Sequence, residues 1–321
     1  MEWSDAMEDR AAGVLLGQAI GDALGVPYEG GMRFSEGHAE MLGGGLGGYE
    51  PGEWSDDTQM ALCIAQVAAT GADLTTPDAL DAITRSFIDW MKYGASDIGN
   101  QTATVLFRST KDEDSRLWER ATRISEEVAG RGSAGNGGLM RTAVVGLSSI
   151  DSEEKTAKAA GLVCALTHAE ERCVESSVLW SVAVRHAVLT GEMDPRRGLP
   201  YLEGTRAAWW SRLIDEAEAE PPETFVPNGY TVTAFQAAWS SIHATRHIDG
   251  PDRFAAALQW AIAIGSDTDT VAAIAGGLLG AAYGASQLPT TWAEQVHGWP
   301  VMTATDLTRL GVTIAGFSGR E

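Results

Sequence analysis

Positive charge is what this chain has least of. Its 23 Lys+Arg stand against 44 Asp+Glu in 321 residues, a formal net charge of −21. Such a surface repels free nucleic acid and anionic membranes, although a local pocket can still hold a phosphate. Cysteine is scarce too: Cys63, Cys164 and Cys173 form no CxxC pair and no even framework. That excludes a disulfide scaffold and leaves buried thiols in a reducing cytosol as the expectation, with a Cys164/Cys173 ligand pair as the alternative. β-forming runs such as residues 224–226 are too few to build a sheet. Long stretches of large apolar residues are missing as well. Residues 271–293 carry no charge, but they are mostly Ala and Gly with Pro289 among them, a poor match for hydrocarbon. A helix packed closely in a soluble core is expected there. The acidic start MEWSDAMEDR lacks the basic–apolar–small order of a secretion signal, so a cytoplasmic protein without a membrane partner is expected.

What the chain does have is helical periodicity over a composition that is 44% hydrophobic, enough for a substantial core. Residues 11–24 place Val14, Leu15, Ala19 and Ile20 near one face, and Gly13, Gly17 and Gly21 allow a neighbour to approach. Further helices are expected over 58–69, 76–91, 97–107, 115–129, 153–166, 170–189, 202–217, 233–245 and 252–264, with one short helix at 304–310. Two loops stand out, the Gly-rich stretch 32–52 and the proline-containing stretch 221–229. Neither separates self-sufficient blocks, and no repeat of fixed period is present. The expected architecture is all-α, with residues 1–321 as one domain.

Ser55-Asp56-Asp57-Thr58 and Gly265-Ser266-Asp267-Thr268-Asp269-Thr270 each open an apolar helix. Alone, either reads as an N-cap whose oxygens accept orphan backbone N–H groups. Together they read as one cation site. Carboxylate and hydroxyl oxygens suit Mg²⁺, Mn²⁺ or Ca²⁺, and no Cys/His set competes for zinc. Asp56, Asp57, Asp267 and Asp269 at one point would repel unless neutralised, a charge count that suits two divalent ions.

Gly135-Asn136-Gly137-Gly138, with Arg141 just beyond, offers backbone N–H groups that can cradle a phosphate; a plain Gly-rich turn is the alternative. It lacks the lysine of a P-loop and follows no strand. His168, after Thr167 at a helix junction, is either a hydrogen-bonded cap or a functional group. His243 and His247 lack the intervening Glu of a zinc protease and are expected to be surface or core residues. Most of the 11 tryptophans are expected to anchor the core, with Trp54 lining a pocket beside the carboxylates.

In order along the chain, Gly17-Gln18-Ala19-Ile20-Gly21-Asp22-Ala23-Leu24-Gly25, Glu29, Ser55-Asp56-Asp57-Thr58-Gln59-Met60, Gly135-Asn136-Gly137-Gly138-Leu139-Met140-Arg141, Thr167-His168 and Gly265–Thr270 together resemble the ADP-ribosylglycohydrolase family. Any one of these is weak, and the five multi-residue motifs in order, with Glu29 between the first two, are strong. The resemblance implies a multi-helix orthogonal bundle and a binuclear Mg²⁺ or Mn²⁺ centre at the base of an ADP-ribose cleft. It places Ser55, Asp56, Asp57, Asp267, Asp269 and Thr270 around the metals, with Ser55 where the family usually has Thr.

The same resemblance puts Ser133, Gly135, Asn136, Gly137, Gly138 and His168 around the ADP-ribose, with Ala134 where some relatives stack an aromatic ring on adenine. Glu29, Asp57, Asp267 and Asp269 are the implied catalytic carboxylates. The implied reaction is hydrolysis of the glycosidic bond between ADP-ribose and an acceptor such as arginine or serine. The implied partners are ADP-ribosylated proteins or other conjugates, a nucleic acid only as a modified substrate, and ADP-ribose as product. Two other readings use the same fold: an ADP-ribose or nucleotide sensor without turnover, and a purely structural protein with no need of metal.

Overall fold

The fold is drawn from a computed structural model that describes residues 3–31, 38–111, 115–130 and 132–318. Part of the Gly-rich stretch 32–52 (residues 32–37) and one position of the later Gly-rich run (131) lie outside the described residues. In chain order the helices are α1 (Asp5–Gly25), α2 (Asp56–Ala68), α3 (Pro77–Tyr93), α4 (Asn100–Ser109), α5 (Leu117–Ala129), α6 (Val145–Ser148), α7 (Glu153–Ala165), α8 (Glu171–Thr190), α9 (Gly204–Ala219), α10 (Thr231–Ala244), α11 (Asp252–Ala263), α12 (Thr268–Tyr283), α13 (Thr290–Ala293) and α14 (Ala304–Ser318). Among the described residues the only sheet is a two-strand hairpin, β1 (His297–Gly298) with β2 (Met302–Thr303). The all-α expectation holds.

Two helices form the axis of the molecule. Every residue of α1 from Ala11 to Gly25 is buried, as is every residue of α12 from Thr268 to Ala281. A helix apolar all round has no solvent face and must sit at the centre. Their contact is backbone on backbone. A Cβ built on Gly17 would stand 2.3 Å from the Gly276 carbonyl oxygen, one on Gly280 2.0 Å from that of Gly13, and one on Gly21 2.0 Å from that of Ala272. The small residues at these positions are what let the two axes come so close.

Around this pair the other helices bury one face each. α3 buries Leu80, Ile83, Thr84, Phe87 and Ile88, spaced three or four apart, and its start is capped by the Thr76 hydroxyl and Pro77. α8 crosses the axis, and its Trp180 donates to the Ile274 carbonyl of α12 at 3.1 Å. The chain's tail departs from expectation. The helix of α14 runs on to Ser318, well beyond residue 310, because Ile314 and Ala315 are buried and Gly311 lies against the Ala11 carbonyl of α1. Cys63, Cys164 and Cys173 are all free and buried. Among the described residues no helix is long and apolar enough to cross a membrane.

Candidate functional site

The first turn of α2 is capped from another helix. Asp22, fully buried on α1, accepts from the Ser55 N–H (2.9 Å), the Thr58 N–H (2.9 Å) and the Thr58 hydroxyl (2.6 Å). Ser55 is therefore at the N-cap position without capping through its side chain; its hydroxyl donates to Asp57 Oδ2 at 3.2 Å. The N-cap reading of this motif is met by Asp22, which leaves Asp56 and Asp57 available.

The start of α12 is held with equal care. Asn228, fully buried, accepts from the Asp267 N–H (2.8 Å) and donates to the Gly265 carbonyl (3.1 Å). Asn136 donates to the Asn228 carbonyl (3.1 Å) and to Asp267 Oδ2 (2.7 Å). Ser266 takes a left-handed φ of 68°, and its N–H and C=O pair with Gly31 and Gly30. Thr268 ties the turn to the Gly25 carbonyl of α1 at 2.8 Å, and Thr270 donates to Asp57 Oδ2 at 3.3 Å.

These two helix starts meet. Carboxylate oxygens of Asp22, Asp57 and Asp269 lie within 4.8 Å of one another, and so do those of Glu29, Asp267 and Asp269. Asp269 belongs to both groups. Burial, followed by the neighbouring carboxylates, pushes Asp56, Asp57 and Asp269 well above the usual carboxylate range. Burial also raises Asp22 to about 6 and, with Asp267 and Asp97, Glu29 to about 7. Asp57 Oδ1 is buried with no hydrogen-bond partner. Hard oxygens gathered at one point, one of them buried without a partner, fit divalent metal ions.

Above this floor opens a cavity of about 450 Å³. Of the sequence-singled residues, Glu29, Asp56, Asp267, Asp269, Thr270, Ser133, Gly135, Asn136, Gly137 and His168 line it. Ser55, Asp57 and Gly138 do not. Ser55 and Asp57 lie beneath the floor, and Gly138 packs against Cys164, where an added Cβ would come within 2.5 Å of Sγ. His168 lies along Gly137 and hydrogen-bonds through Nδ1 to Thr167. Asn136 serves Asp267 with its side chain, and its backbone N–H is taken by the Gly229 carbonyl.

Two expectations are corrected here. Arg141 does not reach the cavity: it is fully buried, stacked on Phe87 and bonded to Val163 and Thr167. Trp54 is likewise fully buried, its indole N–H donating to the Trp299 carbonyl at 3.0 Å, so it is a core anchor and no pocket wall. Sequence reasoning assigned no role to Asp22, Asp97, Gln101 or Asn228. Asp22 had a signal, a lone carboxylate in an otherwise small and apolar stretch of helix. Asp97, in the loop before α4, and Gln101, in its first turn, line the cavity, and Gln101 accepts from Ser133 at 2.5 Å.

The site is thus a cleft with a deep acidic floor under a Gly-rich wall, set in an all-α scaffold. The family model for ADP-ribosylglycohydrolases matches residues 3–316, and the chain belongs to that family of hydrolases. It is 29% identical over 301 residues to the ADP-ribosylarginine hydrolase Tri1 of Pseudomonas putida (strain GB-1), spanning 90% of this chain and 74% of that one. It is 26% identical over 333 residues to the ADP-ribosylhydrolase ARH3 of Homo sapiens, spanning 90% of each. With the ADP-ribosyl-[dinitrogen reductase] glycohydrolase of Rhodospirillum rubrum the identity is 27%, over 91% of each chain. A solved structure titled ADP-ribosylglycohydrolase-related protein complex superposes with a TM-score of 0.76 at 25% identity, covering 98% of this chain and 100% of that one.

Proposed function

We propose that residues 1–321 act as one catalytic unit that hydrolyses the N- or O-glycosidic bond between ADP-ribose and a protein side chain, using two Mg²⁺ or Mn²⁺ ions and releasing ADP-ribose. The observation that carries this reading is the pair of carboxylate groups sharing Asp269 at the base of the cleft. Asp22, Asp57 and Asp269 would hold one ion, and Glu29, Asp267 and Asp269 the other, with Asp56, Ser55 and Thr270 supplying further oxygens. When bound, the ions neutralise these carboxylates and act as Lewis acids toward the ribose hydroxyls.

The chain's own groups account for the rest. Gly135, Gly137, Ser133 and His168 face the diphosphate. Glu29, or one of Asp267 and Asp269, takes the proton from the attacking water, while Asp57, beneath the floor, acts on the reaction through the metal it would hold. A carboxylate opposite the departing acceptor stabilises an oxocarbenium-like transition state. Loss of the acid–base group is worth about 10²–10⁴-fold in rate. Arginine is the acceptor to test first, because the Pseudomonas putida relative is named for ADP-ribosylarginine.

The test is single-turnover release of ADP-ribose from arginine- and serine-modified peptides with Mg²⁺ or Mn²⁺. Release should fall by at least about 10²-fold in Glu29→Gln and vanish in Asp269→Ala. Full activity of Asp267→Ala and Asp269→Ala, or in excess chelator, would refute the metal reading. Tight binding of ADP-ribose without turnover on any linkage would make the protein a sensor instead.

A further inference from the structure

Behind the Gly-rich wall lies a buried cation with no carboxylate among its hydrogen-bond partners. The Arg141 guanidinium sits 4.5 Å from the centroid of Phe87 and donates through Nη2 to the Val163 carbonyl (3.3 Å) and to Thr167 Oγ1 (2.7 Å). Its Nη1 faces Met60 Sδ at 3.6 Å, and its Nε has no partner. A guanidinium can only donate, so the Thr167 oxygen accepts. That hydroxyl has one proton to place. Thr167 is fully buried, and its remaining hydrogen-bond neighbour among the described residues is His168 Nδ1 at 2.8 Å. The proton therefore goes to Nδ1, which accepts.

A neutral imidazole that accepts at Nδ1 carries its own proton on Nε2. The ring is neutral because burial, with Arg141 adding to it, pushes His168 down to about 3. The Nε2 edge lies along the cleft wall, 3.0 Å from where a Cβ on Gly137 would stand and 3.7 Å from one on Gly135. No protein group among the described residues takes that hydrogen.

We infer that Arg141, acting through Thr167, fixes His168 as a neutral Nε2–H donor in the cleft wall, so that the wall selects a ligand oxygen acceptor beside Gly135 and Gly137. Resting on the reading of the cleft given above, that acceptor is a diphosphate oxygen of ADP-ribose. Arg141 and Thr167 are positioning residues: neither touches the ligand, and both act by deciding which ring nitrogen holds the proton. The relay also explains an arginine in the core. A carboxylate in its place would accept from the Thr167 hydroxyl, whose oxygen would then accept from Nδ1–H and leave Nε2 an acceptor, which would repel a phosphate oxygen.

The experiment is ¹⁵N NMR of the imidazoles in the full chain, with calorimetry for ADP-ribose and turnover measured on the same samples. In the wild-type protein at neutral pH, His168 should show a protonated Nε2 and a bare Nδ1. Thr167→Val keeps the shape but removes the relay; the Nδ1 signal should shift and split, ADP-ribose Kd and substrate KM should rise about tenfold, and kcat should change less than twofold. Thr167→Ser should restore all three. A wild-type ring protonated on Nδ1 or on both nitrogens overturns the inference, as does Thr167→Val with unchanged binding and spectrum. A wild-type ring with the expected tautomer in a protein that does not bind ADP-ribose refutes the functional reading and leaves the Arg141–Thr167 assignment standing.

Discussion

Gly17→Ala should damage the site from a distance. The added Cβ would stand 2.3 Å from the Gly276 carbonyl oxygen and 3.0 Å from the Gly280 Cα. Ordinary carbon–oxygen approach is about 3.3 Å, so α1 and α12 must part by about 1 Å. Overpacking of this kind costs about 1–3 kcal/mol, while alanine is favoured over glycine inside a helix by about 1 kcal/mol. The net loss of stability is then small, at most about 2 kcal/mol. Asp22 rides on α1 and Asp269 on α12, however, and a 1 Å misplacement at a reacting centre costs on the order of 10²-fold. The expected signature is a protein that melts within a few degrees of wild type yet loses about 99% of its turnover and binds Mg²⁺ or Mn²⁺ more weakly by calorimetry. Gly204→Ala is the control, since a Cβ there meets nothing within 4 Å, and it should leave all three measurements unchanged. Wild-type activity and cation affinity in Gly17→Ala would refute the claim that this seam sets the spacing of the carboxylates.

Asp57→Asn removes a charge whose Oδ1 is buried without a partner; it should raise the melting temperature in chelator and lower cation affinity, and a lower melting temperature in chelator would contradict the crowding argument. In cation-free protein, Asp22 at about 6 and Glu29 at about 7 titrate above the unfolded value of about 4. Their contribution to stability is fully present below pH about 4 and is lost as pH rises through 6 and 7, so melting in chelator should fall between pH 5 and 7.5 and flatten when Mn²⁺ is added. The opposite slope in chelator would count against it. Ser266→Gly relieves a left-handed φ of 68°; against glycine's entropy, a gain of up to about 1 kcal/mol is expected in urea unfolding, and a clear loss would mean that the Ser266 side chain contributes.

The helices were legible because their period is strong and their breaks are rich in glycine and proline. The glycines at 13, 17 and 21 were legible as places of close approach, and the Ala- and Gly-rich run from 271 as a closely packed helix. That they face one another across a single seam is a tertiary fact carried by no local pattern. Asp22 was missed for the same reason: on the sequence it interrupts an apolar helix, and only the arrival of α2 shows three donors waiting for its oxygens. Arg141 misled because a positive charge beside a Gly-rich turn looks like a phosphate ligand. Its direction depends on Phe87 and Thr167, which the sequence places elsewhere. The tail helix runs past the expected 304–310 because Gly311 packs against the Ala11 carbonyl, a contact no local pattern carries.

The α1–α12 seam also has a consequence in time. The chain is made from its N-terminus, and α1 leaves the ribosome with its glycine face bare while the α12 segment is still to be synthesised. Pairings of such long sequence separation are slow to close and expose apolar surface while they wait. Holding α1 in a form that can still receive its partner is thus a task for the intervening helices, or for a chaperone. Until α12 docks, Asp22 and Asp57 have no Asp269 to meet, so the acidic floor of the cleft is complete only when the two ends of the fold join.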